Sequence, residues 1–194
     1  ITWNKGMLQL KDKTTGRILE DFLFVEDGGD EGDTYDYSWP TRDRIYELRF
    51  QNAKAELQSG DIADILTLRG TWLLPQSLQE RESDQCTQEL SYELQLQLDH
   101  KDLIRCELHV NNTAAEHRMR VICRGLSSSD SSIADTPFGT IRRKHDPKHM
   151  DDWREAGYRE EPSPIYPFLH HVSNGDGPIL TCFSKGIKEY EILR

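Results

Sequence analysis

The stretch Gly28-Gly29-Asp30-Glu31-Gly32-Asp33-Thr34-Tyr35-Asp36-Tyr37-Ser38 concentrates acids, glycines and two tyrosines in consecutive positions. Three chemistries compete for it. Asp27, Asp30 and Asp33, spaced by glycines, could wrap a hard cation such as calcium in oxygens, although the twelve-residue EF-hand pattern is absent. A solvated acidic turn between strands would account for the acids and leave Tyr35 and Tyr37 unexplained. Sugar recognition uses carboxylates as bidentate hydroxyl acceptors and flat aromatic faces as stacking surfaces, and Asp30, Asp33, Tyr35 and Tyr37 supply both. The glycines serve any of these by letting backbone approach a partner.

Other reactive side chains are less organised. His145 and His149 stand four apart, the spacing of two metal ligands on one helical face. No third ligand accompanies them, and two solvated histidines on a polar helix are the simpler reading. His170 and His171 are adjacent in an expected strand, so they should point to opposite faces and cannot serve one ion. The chain has no GxSxG, P-loop, GxGxxG or HExxH motif. Thirty-four acids make carboxylate pairs available almost anywhere, so no pair stands out for hydrolysis. No catalytic constellation and no metal set is assigned to this chain.

The elements that must position the loop are strands. Leu90, Tyr92, Leu94, Leu96 and Leu98 alternate with polar residues, and Ile104, Cys106, Leu108 and Val110 do the same after a polar turn, which predicts a hairpin with one buried face. Met119, Val121 and Cys123 alternate with Arg118, Arg120 and Arg124, so a third strand should extend that hairpin into a meander. Tyr46, Leu48 and Phe50, then Ala53, Ala55 and Leu57, then Leu66 and Leu68 continue the pattern. Met7 to Leu10 and Phe22 to Val25 read as a hairpin, and so do Ile179 to Phe183 and Ile187 to Ile192. One stretch predicts a helix, with Asp146 as cap, Pro147 in its first turn, Met150 and Trp153 on one face and Gly157 as its stop. Many short strands and one helix predict an all-β, antiparallel β-sandwich.

Composition narrows the partners. A chain of 194 residues suits one domain, at most a domain with an appendage. Its net charge of −10 has the wrong sign for a phosphate backbone, so nucleic acid is not expected as a partner. No apolar run reaches the roughly 20 residues that cross a bilayer, so no membrane is expected either. Cys86, Cys106, Cys123 and Cys182 form no CxxC pair and read as four reduced thiols, which points to a cytoplasmic protein. The sequon at Asn111-Asn112-Thr113 reads as chance. The start at Ile1, without Met, suggests a segment of something longer.

Phe24-Val25-Glu26-Asp27 followed by the acidic loop resembles the GDxGDxYDYS loop in the C-terminal β-domain of glycoside hydrolase family 38, the α-mannosidases, and is most similar to the bacterial branch that includes mannosylglycerate hydrolases. Three later stretches resemble that branch in the same order. They are Asp135-Thr136-Pro137-Phe138-Gly139-Thr140-Ile141-Arg142-Arg143, the Pro-rich Glu161-Pro162-Ser163-Pro164-Ile165-Tyr166-Pro167, and Lys185-Gly186-Ile187-Lys188-Glu189-Tyr190-Glu191. The resemblance implies a truncated sandwich of the galactose-mutarotase-like supersandwich kind, occupying residues 1–194 as a fragment of a larger glycosidase. It implies that zinc and the aspartate nucleophile of a retaining mechanism reside in a separate catalytic domain, the chain's own partner in the full-length protein. Tyr35 and Asp33 would then contact mannosyl hydroxyls beside that zinc. Arg142 or Arg143 would offer a donor fork to a carboxylate such as glycerate or to a phosphate, where the plainer reading is an exposed strand end.

Two classes of function follow. One is a glycosidase β-domain that completes the active site of the missing catalytic domain, with a mannosyl-containing carbohydrate as ligand. The other is a free-standing carbohydrate-binding or calcium-binding sandwich. Exposed strand edges, with Phe183, Ile187, Tyr190 and Ile192 near the end of the chain, further predict self-association, most simply as a homodimer.

Overall fold

The alternating run around Leu94 finds its partners in a four-stranded antiparallel sheet. The computed structural model describes residues 1–33, 35–99, 103–125, 129–144, 152–159, 162–174 and 180–193, in two compact units, Ile1–Arg124 and Gly125–Arg194. The first unit holds β1 (Thr2–Asn4), β2 (Met7–Lys11), β3 (Ile18–Leu19), β4 (Leu23–Gly29), β5 (Tyr46–Leu48), β6 (Lys54–Ser59), β7 (Ala63–Leu74), the helix α1 (Leu78–Glu82), β8 (Gln88–Asp99), β9 (Ile104–Val110) and β10 (His117–Cys123). These form sheets in the orders β1-β2-β3, β10-β4-β5 and β6-β7-β8-β9. The second unit holds β11 (Ser131–Thr136), β12 (Gly139–Lys144), β13 (Tyr166–Pro167), β14 (His171–Asn174), β15 (Thr181–Phe183) and β16 (Glu189–Tyr190), in sheets β12-β11-β14-β15 and β13-β16.

Among the described residues every pairing is antiparallel, and they form an all-β sandwich with one short helix. In the first unit, Leu68, Leu90, Leu94 and Leu96 of the long sheet pack with Leu8, Leu23, Val25, Leu48 and Phe50 from the other layer. Trp72 stacks on Tyr92 with ring centroids 4.2 Å apart, and Phe50 meets Tyr92 edge-on at 5.5 Å. Trp72 donates its indole N–H to the Arg49 carbonyl at 2.8 Å, so its burial leaves no donor stranded. Burial pushes the Tyr92 phenol up to about 12.

Four expectations fail in instructive ways. The third strand of the expected meander exists but leaves its hairpin: β10 pairs with β4, from His117↔Gly29 to Cys123↔Leu23. Charge explains the choice, because β4 offers Glu26 and Asp27, and β10 answers with Arg120 opposite Glu26, ion-paired to it, and with His117. Val121 and Cys123, expected on the buried face, are exposed. The hairpin of Met7–Leu10 with Phe22–Val25 forms only in part: Phe22 donates its N–H to the Leu8 carbonyl at 2.9 Å, but the strand ladder runs between β2 and β3, where the Asp12 carboxylate accepts the Thr14 N–H. At the end of the chain β15 and β16 belong to different sheets, β15 beside β14 and β16 beside β13.

The helix is the fourth. Residues 145–151, with the proposed cap and both His145 and His149, lie outside the described residues, and Asp152 to Gly157 form hydrogen-bonded turns. Among the described residues the α-helix is α1, whose five residues are too few to show a 3.6-residue period.

The sheet permits a sharp test of packing. A Cβ added at Gly70 would lie 2.5 Å from the Tyr92 hydroxyl oxygen, and Trp72 stacked on Tyr92 prevents the ring from retreating. Gly70→Ala should cost about 1–3 kcal/mol in denaturant unfolding. Tyr92→Phe in the same chain should recover only part of that loss, since the ring carbon Cζ still lies 2.8 Å from the added Cβ.

Candidate functional site

A carboxylate in the middle of a buried strand is costly unless a countercharge and hydrogen bonds meet it, and Asp27 of β4, wholly buried, meets a guanidinium and an imidazole. Arg81 of α1 donates through Nη2 to its Oδ2, and His117 of β10 approaches its Oδ1 through Nδ1. Arg81 also donates to the Arg44 carbonyl at 2.6 Å and lies over the Tyr46 ring, 5.3 Å from its centroid. The other ring nitrogen of His117 faces Asn112 Oδ1 at 2.9 Å, an oxygen that also accepts the Ala114 N–H. Gly29 makes room for this cluster: a Cβ there would fall 2.7 Å from Pro40 and 3.0 Å from the Arg81 side chain. Its N–H donates to Asp43 at 2.9 Å. Three elements distant in sequence are thus fastened at the point where β4 ends.

The acidic loop begins there and folds on itself. Asp30 receives its N–H bond partner from outside, the Glu116 carbonyl at 2.9 Å. Its carboxylate accepts the N–H groups of Gly32 at 2.9 Å and Ser38 at 3.2 Å, and Glu31 N–H reaches the Ser38 carbonyl at 2.9 Å, which closes the neck. Asp33 accepts the N–H groups of Tyr35 at 2.7 Å and Asp36 at 3.0 Å. Those two bonds hold its carboxyl below the usual carboxylate range. Gly32 is required by the fold of the loop, since a Cβ there would sit 1.8 Å from the Asp36 carbonyl oxygen.

The two tyrosines separate in role. Tyr37 is half-buried, with the Arg118 guanidinium 4.3 Å from its ring centroid and Trp39 edge-on at 5.0 Å. Tyr35 is 92% exposed. The loop therefore presents one free phenol, two carboxylates that each use Oδ1 within the loop, and a partly exposed Trp39 beside them. That set can accept hydroxyl protons and stack on a sugar face.

The sequence brought Asp27, Asp30 and Asp33 together as calcium ligands, and the structure takes Asp27 out of that set. It belongs to the strand and is already neutralised. Among the described residues no group of three His, Cys, Asp or Glu side chains is placed to hold a metal ion. Arg81, His117, Arg118 and Trp39 were not singled out by sequence. For Arg118 a signal existed in the alternating basic residues of β10, whereas Arg81 lies on a helix too short to announce itself.

In the second unit Arg142 and Arg143 lie on β12. Arg142 donates to Ser131 Oγ at 2.9 Å. Arg143 donates to the Tyr190 hydroxyl at 3.1 Å and lies 5.0 Å from the Tyr166 ring centroid. Asp135 of β11 accepts backbone N–H groups of Leu169, His170 and His171 at 2.9–3.0 Å. His170 Nδ1 is 2.9 Å and His171 Nδ1 3.8 Å from the same carboxylate, so the two histidines converge where opposite faces were expected. The chain turns into β14 at this point, and the flat alternation of a strand does not yet apply. Phe138, at the tip between β11 and β12, is fully exposed.

Two outcomes follow. Arg81→Met strands a buried carboxylate and should lower unfolding free energy by roughly 3–5 kcal/mol, while the Arg81→Met and Asp27→Leu pair should cost far less; a denaturant titration measures both. For Asp135, burial raises the pKa, but the N–H groups of His170 and His171 and the His170 imidazole outweigh it and hold the carboxyl well below its usual range. Its stabilisation is therefore present above the ordinary carboxylate pKa, about 3.9, and fades as pH falls below it. Melting curves from pH 6 downward should show Asp135→Asn less stable than the native chain at neutral pH, with the gap closing below about pH 4.

No protein-family model matches the chain, and no curated protein sequence matches it. Solved structures do. An α-mannosidase from Enterococcus faecalis V583 superposes with a TM-score of 0.75 at 23% identity, over 98% of this chain and 23% of its own. A protein in glycosyl hydrolase family 38 from Enterococcus faecalis superposes with a TM-score of 0.72 at 20% identity, over 98% of this chain and 24% of its own. The chain thus spans about a quarter of the length of the structures it matches, and it shares the fold of that part of them.

Proposed function

We propose that this chain is the β-sandwich part of a glycoside hydrolase family 38 α-mannosidase and that its acidic loop contributes substrate contacts to a catalytic domain outside these residues. The observation that carries the reading is the agreement of fold over 98% of the chain with two such structures, joined to a loop built to display Tyr35. A fully displayed phenol on a hydrogen-bonded loop has no packing role, which leaves recognition as its use.

In this reading Tyr35 donates to or accepts from a mannosyl hydroxyl, and Asp33 does two things. Its Oδ1 shapes the loop, and its second oxygen accepts a hydroxyl proton. Asp30 and Tyr37 hold the neck and the wall rather than the sugar. Zinc, and the nucleophile of a retaining reaction, belong to the catalytic domain, and this chain's own side chains bind and orient the sugar. Either Arg142 or Arg143 of β12 would offer a donor to an anionic substrate such as mannosylglycerate or its phosphorylated form, Arg142 from a guanidinium that also bonds Ser131 and Arg143 from one that bonds Tyr190. The thiols are consistent with a cytoplasmic enzyme.

The test uses the intact polypeptide and an activated α-mannoside. Tyr35→Phe should lower kcat/KM by about 1–3 kcal/mol of transition-state binding with an unchanged melting temperature, since the ring makes no buried contact. Asp33→Asn should lower both, because it also weakens the loop. The 194-residue chain alone should show no turnover. Native kinetics in Tyr35→Phe, or hydrolysis by the isolated chain, would contradict the proposal.

A further inference from the structure

Strand β6 lies at one edge of the four-stranded sheet and is exposed along its whole length. Its register against β7 sets Ala55 beside Leu68 and Leu57 beside Leu66. The same rows continue through Leu94 and Leu96 on β8. Leu68, Leu94 and Leu96 are sealed from water, so Ala55 and Leu57 point to the core face of the sheet. The cover stops short of them: Leu57 is 66% exposed, and Ile62, in the turn to β7, 81%. No described residue bonds to the outer backbone edge of β6. An apolar core-face side chain on an unpaired edge is a template for another strand.

We propose that a second copy of this chain occupies this edge, with β6 pairing antiparallel to β6 across a two-fold axis at Leu57. The register follows from parity and charge. Partners in an antiparallel pair share a face, and a two-fold axis through a residue sets that residue against its own copy. Only axes at Glu56 and Leu57 engage five residues of the strand. The first places Glu56 against Glu56, and like charges directly opposite are destabilising. The second places Leu57 against Leu57, Glu56 against Gln58 and Ala55 against Ser59, with no like-charge pair, and it leaves the Glu56 ion pair with Arg69 intact. The contact is isologous, so it closes at two copies. It makes the sheets of both copies continuous and covers each Leu57 with its counterpart. The competing edge near the end of the chain is weaker, since β15 offers only three residues.

Light scattering and disulfide trapping test the proposal together. At high micromolar concentration the native chain should weigh as a dimer and Leu57→Lys as a monomer with unchanged circular dichroism. In a Cys106→Ser, Cys123→Ser background, Leu57→Cys should cross-link to itself on mild oxidation, because directly opposed residues lie within disulfide reach. Gln58→Cys, which faces Glu56, should not. A monomeric native chain overturns the proposal, and so does a dimer indifferent to Leu57→Lys or one that cross-links equally at Gln58→Cys. Slow amide exchange along β6 in a monomer would assign the edge to another segment of polypeptide and overturn it equally.

Discussion

The Asp27 carboxylate has no access to water, and the geometry of the candidate site depends on how that charge is met. Arg81 and His117 reach it from a helix and a strand that are remote in the chain. Removing either partner would leave a charge that the interior cannot solvate, so the three elements are obliged to assemble together. The chain leaves β4 only two residues later. Whatever direction the acidic loop takes is therefore fixed by the cluster behind it.

Within the loop the acids are consumed by the backbone. Asp30 and Asp33 accept four N–H groups that a tight turn would otherwise leave unpaired, and Gly32 permits a carbonyl to approach where any side chain would collide. The consequence for recognition is preorganisation: a loop already folded by its own hydrogen bonds loses little entropy when a ligand arrives. Arg118 adds to this by holding Tyr37 against the wall. Tyr35 alone is left facing outward, and the acids that looked like ligands in the sequence are mostly architecture.

Much of the sandwich was legible because period-two alternation survives wherever one face is buried. The strand around Leu94, the hairpin that follows it and the position of the acidic loop were all readable in this way. Pairing across sheets was not. The basic residues of β10 match the acids of β4 through charge rather than through hydrophobic pattern, and nothing local to either strand says so. The helix failed for a different reason. Five residues of α1 carry no period, yet one of them, Arg81, is the countercharge that the site needs. Asp135 shows the same limit in the second unit, where a carboxylate that the sequence gives no role gathers three backbone N–H groups and two imidazoles. The fold class could be read from residue spacing; the division of labour among acids required their hydrogen-bond partners.

The acidic loop is folded by its own hydrogen bonds before any ligand meets it, and the buried cluster around Asp27 fixes it in place. Amide hydrogen exchange on the chain by itself tests this most directly. Slowed exchange is expected at Gly32, Tyr35, Asp36 and Ser38, and Arg81→Met should release those four amides while the amides of β8 stay protected. Exchange at unprotected rates in the native loop, or protection that Arg81→Met leaves untouched, would contradict it.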